Sequence, residues 1–118
     1  VDLHWVEPEQ VPLPPDQVRV VRAEATPYAD GRRVKVGVSL TPFLERPDVE
    51  LRIADPAGET LAEADVVECV EPEFELTLHL RHLPPKAMLC RLHVKVGYPD
   101  QGIESALAVD LPLPEPMA

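Results

Sequence analysis

Residues 74–96 read Phe74-Glu-Leu-Thr-Leu-His-Leu-Arg81, then His82-Leu-Pro-Pro-Lys86, then Ala87-Met-Leu-Cys-Arg-Leu-His-Val-Lys-Val96. Both flanks alternate with period two. In the first, Phe74, Leu76, Leu78 and Leu80 share one face, and Glu75, Thr77, His79 and Arg81 share the other. In the second, Met88, Cys90, Leu92, Val94 and Val96 lie opposite Leu89, Arg91, His93 and Lys95. Successive side chains of a strand point to opposite faces, so this pattern predicts two strands, each with a dry and a wet side. Such strands need a second apolar layer to cover them, which implies a packed all-β domain.

Working outward, the rest of the chain supplies matching strands. Residues 33–41 place Val34, Val36, Val38 and Leu40 on one face. Residues 48–54 do the same with Val49, Leu51 and Ile53. Residues 103–111 follow with Ile103, Leu107, Val109 and Leu111. Residues 18–26 form a further strand, joined to the next through Asp30-Gly31, a hairpin signal because Gly accepts positive φ. Residues 60–68 read as a weaker strand: Ala62, Ala64 and Val66 share a face, but Val67 falls out of phase, which predicts a bulge or an edge position. Asp55-Pro-Ala-Gly58 and Tyr98-Pro-Asp-Gln-Gly102 have turn composition.

Seven strands with a turn signal about every ten residues, and no helical period, predict an immunoglobulin-like or fibronectin-III-like sandwich. The chain lacks the Cys…Trp…Cys arrangement of true immunoglobulins, since Trp5 precedes the strands. With 118 residues the chain fits one domain. The expected organisation is an extended Pro-rich arm over residues 1–17, a sandwich over 18–111 and a Pro-rich tail over 112–118. Pro8, Pro12, Pro14 and Pro15 forbid a helix in the arm, and Pro112, Pro114 and Pro116 are expected to end regular structure.

The segments Asp30-Gly-Arg-Arg-Val-Lys-Val36, Leu40-Thr-Pro-Phe-Leu-Glu-Arg-Pro47 and Leu76-Thr-Leu-His-Leu-Arg81 resemble an uncharacterised family of small bacterial immunoglobulin-like β-sandwich proteins. The resemblance spans roughly residues 1–111. It implies the sandwich fold, and it brings no assigned activity.

Charge sets further bounds. The formal net charge of −10 disfavours nucleic acid and anionic membrane as partners, since both need a basic footprint. No apolar run approaches the roughly 20 residues of a membrane-spanning helix, and with no leader pattern the default address is cytoplasmic. Residues 45–75 hold eleven acids and two bases; residues 76–96 hold four bases, three histidines and no acid. That layout is either a solvated surface whose strands happen to differ or a bipolar module with an acidic and a basic side.

No motif in the chain carries catalysis. No Gly-x-Ser-x-Gly elbow occurs, and no catalytic, cofactor or metal residue is expected. His79, His82 and His93 are the candidates for the competing reading, a metal-binding or enzymatic protein; their spacing is poor, because an immunoglobulin-like strand order would put His79 and His93 in opposite sheets. Cys90 is in phase with the core, and Cys69 has acids beside it, so neither reads as a nucleophile. Tyr28 and Tyr98, both placed in turns, are too few for an aromatic sugar platform. The expected role is therefore a non-enzymatic interaction or structural module, binding a protein partner or a second copy as a homodimer. Its contacts are expected around Trp5, Phe43, Leu44, Arg91, His93 and Lys95. A third reading is a β module excised from a larger protein, with the Pro-rich ends as linkers.

Overall fold

The alternation becomes seven strands: β1 (Val20–Pro27), β2 (Arg33–Leu40), β3 (Asp48–Ala54), β4 (Thr60–Val66), β5 (Glu73–His79), β6 (Met88–Tyr98) and β7 (Ile103–Leu113). The computed structural model describes residues 11–82 and 85–115. Trp5, one of the expected contact residues, lies outside them.

The strands form two antiparallel sheets, one ordered β1-β2-β5 and the other β4-β3-β6-β7. This is an immunoglobulin-like sandwich in which β4 pairs with β3, where a constant-type immunoglobulin places its fourth strand in the other sheet. The expected inward residues fill the space between the sheets. Val34, Val36, Val49, Ile53, Leu92, Val94 and Cys90 are fully buried. Each large aliphatic side chain removed from water contributes about 1.5–3 kcal/mol, so this interior is the main source of stability. Among the described residues no polar or charged side chain is buried.

Two irregularities correct the simple period. On β4, Thr60 pairs with Ala54 and Ala62 with Ile53, which leaves Leu61 as the extra residue of a bulge. Both Leu61 and Ala62 are thereby buried in succession. The bulge lies at the start of β4; Val67 lies beyond its end and is exposed. On β1, the register shifts between Val20 and Arg22, and Val21 stands exposed.

Two sequence expectations need correction. Pro112 does not end regular structure, because β7 runs on to Leu113 with Pro112 opposite Leu89. β7 is an edge strand, and an edge tolerates a residue with no N–H to donate. Tyr98 is the last residue of β6 rather than part of a turn, and it is buried.

Candidate interaction surface

The sandwich has two ends. The connections β2–β3 (41–47), β4–β5 (67–72) and β6–β7 (99–102) meet at one of them, and side-chain and backbone bonds tie them to one another. Tyr98 donates its hydroxyl to the Glu45 carbonyl at 2.7 Å, joining β6 to the β2–β3 loop. The Cys69 N–H donates to the Pro47 carbonyl at 2.8 Å, and the Glu68 N–H donates to Asp48 Oδ1 at 2.9 Å. Leu40 donates its N–H to the Pro72 carbonyl at 2.8 Å, so the β4–β5 loop spans from one sheet to the other.

Glu68 pays for this bridging with a φ of 50°, the left-handed region that a residue with a Cβ avoids at a cost of about 1–2 kcal/mol. Such a conformation persists only where the surroundings over-determine it. Here the fixing contacts are the two backbone bonds just named and Cys69, whose buried thiol donates to the Glu71 carbonyl at 3.2 Å. Burial is the main cause that pushes the Cys69 thiol pKa up; the Glu71 backbone offsets part of this, and the negative charge of Glu71 adds a lesser upward push. Burial also pushes Cys90 up, with Asp55 adding to the effect. Both cysteines are free thiols held in the protonated form at neutral pH.

The last part of the arm docks at the same end. Leu13 forms a parallel bridge with Phe43, donating its N–H to the Pro42 carbonyl and accepting from the Leu44 N–H, each at 3.0 Å. Phe43 and Leu44, read from the sequence as a pair, are separated by this pairing. Phe43 packs against the core, whereas Leu44 is 66% exposed. Val67 at 71% and Val70 at 64% are exposed on the neighbouring loop. Sequence reasoning noticed that Val67 was out of phase but not that it would face solvent. A β-branched apolar residue that can neither join its strand nor turn inward is the signal that was available.

Beside Val67 runs a groove of about 630 Å³. Gly97 and Ile103 line its floor, with Asp48, Glu50, Asp65 and Glu104 on its sides. Gly97 has a steric reason to be glycine: a Cβ there would stand 2.8 Å from the Ile103 carbonyl oxygen and 3.2 Å from Glu104 Cβ. A side chain at this point would push the β7 backbone away.

Arg91, His93 and Lys95 all point outward from β6, as expected, on the open face of the four-stranded sheet. The acid-rich and base-rich runs of the sequence prove to be neighbours there, since β6 lies between acidic positions of β3 and β7. Lys95 bridges Glu50 at 2.6 Å and Glu104 at 3.5 Å, and Arg91 lies 3.5 Å from Asp110. Arg81 in turn meets Glu63 at 2.6 Å. The two carboxylates beside Lys95, Glu50 first, raise its pKa. These pairs are exposed, so solvent and salt screen them and they add little to stability. What they do is set three of the four bases of residues 76–96, Arg81, Arg91 and Lys95, directly against carboxylates, so that these bases do not form an unopposed basic face.

The histidines do not converge. His79 faces outward on the three-stranded sheet, His93 faces outward on the other, and His82 is exposed in the β5–β6 connection. Among the described residues no group of three or more His, Cys, Asp or Glu is placed to hold a metal ion. Nor is there a tyrosine platform. Tyr98 is internal, and Tyr28 is half-covered by the Arg33 guanidinium, 4.3 Å from its ring centre.

No family model matches the sequence, and the search of curated proteins finds no relative. Solved structures do share the fold. A β-glucuronidase of Lactobacillus rhamnosus is similar over 86% of this chain at 19% identity, with a TM-score of 0.52. A β-glucuronidase of Bifidobacterium dentium, solved with coumarin-3-O-glucuronide, is similar over 82% at 16% identity, with a TM-score of 0.56. A β-glucuronidase of Ruminococcus gnavus, solved with D-glucaro 1,5-lactone, is similar over 86% at 17% identity, with a TM-score of 0.52. In each case the match spans under a fifth of that enzyme's length, 19% at most. At these identities the likeness is one of fold: the chain is a β-sandwich domain of the kind found as a segment within those enzymes. Among the described residues no helix is long and apolar enough to cross a membrane.

Proposed function

We propose that this chain is a non-catalytic β-sandwich module whose role is to hold a protein partner or a neighbouring domain. The observation that carries this reading is how side chains are divided. The described interior is wholly aliphatic apart from its two thiols and the ring of Tyr98. Glu50, Glu63, Glu104 and Asp110 are engaged by cations across strands, while Leu44, Val67 and Val70, three of the exposed large apolar side chains, stand on the loops of one end. Glycoside cleavage by the usual route needs two carboxyl groups flanking a bound sugar, one with its pKa raised by its surroundings. Asp48, Glu50, Asp65 and Glu104 share the groove beside Val67, but none of the described carboxylates is buried, so none has the desolvated surroundings that a general acid of this kind needs. The likeness to a minor segment of several β-glucuronidases favours a module that works beside other domains.

The test is the isolated chain offered p-nitrophenyl-β-glucuronide. The expected result is a cooperative melt and no p-nitrophenol release above buffer. Turnover by the pure chain, abolished by substituting one of its carboxylates, would overturn the reading.

A further inference from the structure

We infer that the loop end bearing Leu44, Val67 and Val70, together with the groove beside Val67, is a docking surface for a partner segment that carries aliphatic and Lys or Arg side chains together. This rests on the module reading above and names its contact face and the chemistry of its partner.

Three features of the surface support this. Its apolar members are grouped by place in the fold: Leu44, Val67 and Val70 belong to two loops of the same end, and each is at least 64% exposed. Isolated exposed hydrophobes are ordinary, but a set on loops that the scaffold holds rigid is where binding residues gather. The loop that presents the two valines is fixed. Glu68 sits between Val67 and Cys69 in the left-handed conformation, held by bonds to Asp48 and Pro47. A strained, pinned loop presents side chains with little ordering left to lose on binding. Finally, Val67 lines both the 630 Å³ groove and a smaller one of about 230 Å³ next to it.

Charge decides the occupant. Asp48, Asp65 and Glu104 rim the larger groove, and Glu45, Glu68 and Asp100 rim the smaller one. The cations there are Lys95, held by Glu50 and Glu104, and Arg46. A net-acidic rim around apolar side chains favours a cationic, aliphatic visitor, and it speeds that visitor's approach. A second copy of this chain would bring the same acidic rim and be repelled. Residues 1–10, with Asp2, Glu7 and Glu9 against no Lys or Arg, are also acidic and poorly matched to it.

The experiment titrates the ¹⁵N-labelled full chain with a ten-residue peptide of alternating Lys and Leu, and separately with its Glu/Leu counterpart. The expected result is saturable amide shifts centred on Leu44, Val67, Val70 and Gly97 with the Lys/Leu peptide alone. Binding should weaken about tenfold in the V67S/V70S double variant, as expected for losing two partly buried valines from a contact. Both positions are exposed, so the variant should keep the parent's melting temperature. Shifts centred instead on Glu24, Glu73 and Glu75 of the other sheet would overturn the assigned surface and leave the module reading standing. Equal binding of the Glu/Leu peptide, or an unchanged affinity in V67S/V70S, would also overturn it. So would a concentration-dependent dimer that protects Val67, or the same shifts on deleting residues 1–10. The module reading itself fails separately, by turnover of the glucuronide.

Discussion

At one end of the sandwich, Asp30 and Asp55 each turn a single carboxylate oxygen onto two N–H groups of their own turn. Asp30 Oδ1 accepts from Arg32 and Arg33, and Asp55 Oδ1 accepts from Ala57 and Glu59. Gly31 and Gly58 complete those turns at positive φ. At the other end, Tyr98, Cys69 and Glu68 reach residues twenty or more positions away, and the strain falls on Glu68, which is not a glycine. The first pair of turns is bonded mainly within itself, apart from the Leu80 N–H donated to the Arg32 carbonyl at 2.8 Å, and is polar at its tips. The second end is stitched together from distant parts and leaves apolar side chains in water. A loop that only needs to reverse the chain can be satisfied locally. A loop that must present a surface is held by the rest of the fold.

The sharpest way to break this contrast is at glycine. Gly97→Val meets β7 backbone at 2.8 Å and should destabilise by roughly 1–3 kcal/mol, the usual cost of overpacking, in urea unfolding. Gly31→Ala has nothing within 4 Å of its new Cβ, so only the φ of 69° is penalised, at about 1 kcal/mol. Equal losses at the two sites would mean that the close β6–β7 approach can relax freely, and the argument for Gly97 would fall.

A second comparison sets Tyr98→Phe against Asp55→Ala. The first removes the only bond from β6 to the Glu45 carbonyl among the described residues and should cost about 1–1.5 kcal/mol. The second leaves two exposed N–H groups to water and should cost about 0.5–1 kcal/mol. Hydrogen exchange distinguishes them better than stability does. Tyr98→Phe should speed exchange in residues 41–47 as well as 99–102, whereas the effect of Asp55→Ala should stay within 55–59. A response to Tyr98→Phe confined to its own turn would remove the claim that this end is stitched.

The same contrast explains what could be read in advance. The strands of the core were visible because period-two alternation is a local signal, and Asp30-Gly31 and Asp55-Pro-Ala-Gly58 were visible because their chemistry is local too. Tyr98 continues the phase of Val94 and Val96, so its burial was legible, but the following Pro99 drew it into the turn. The pairing of Lys95 with Glu50 was hidden because it depends on β6 lying next to β3, a fact of strand order that no local pattern encodes. For the same reason the docked Leu13 and the exposed pair Val67 and Val70 were missed. Phe43 and Leu44 were read as a pair, and their division into one inward and one outward residue comes with the parallel bridge to Leu13.

Glu68→Gly is a smaller probe, with the opposite sign. Removing the Cβ at φ 50° relieves strain, while glycine adds freedom to the unfolded chain. The net expectation is a gain of about 0.5 kcal/mol in urea unfolding, with faster hydrogen exchange at Val67 and Val70. A loss of stability would show that the Glu68 side chain contributes more to this end than its backbone strain costs.

The smallest effect concerns His93, on the face that joins the two ends. It is half-buried, opposite Arg52 of β3 and Ala108 of β7, with Arg91 two positions along its own strand. Asp55 and Asp110 line the same shallow groove. Lost hydration, then the charges of Arg52 and Arg91, hold its pKa below the ordinary 6.5. The unfolded chain therefore takes up this proton more readily than the folded one. The stabilising contribution is complete above the unfolded pKa and is lost as pH falls below it, toward the folded pKa. The difference between parent and variant isolates the contribution of this one side chain. From about pH 7.5 to about pH 5.5 the urea midpoint of the parent should fall slightly more than that of His93→Gln. Should the parent instead fall less, the carboxylates of Asp55 and Asp110 would outweigh the two guanidinium groups, and the face would be acidic even where its arginines are densest.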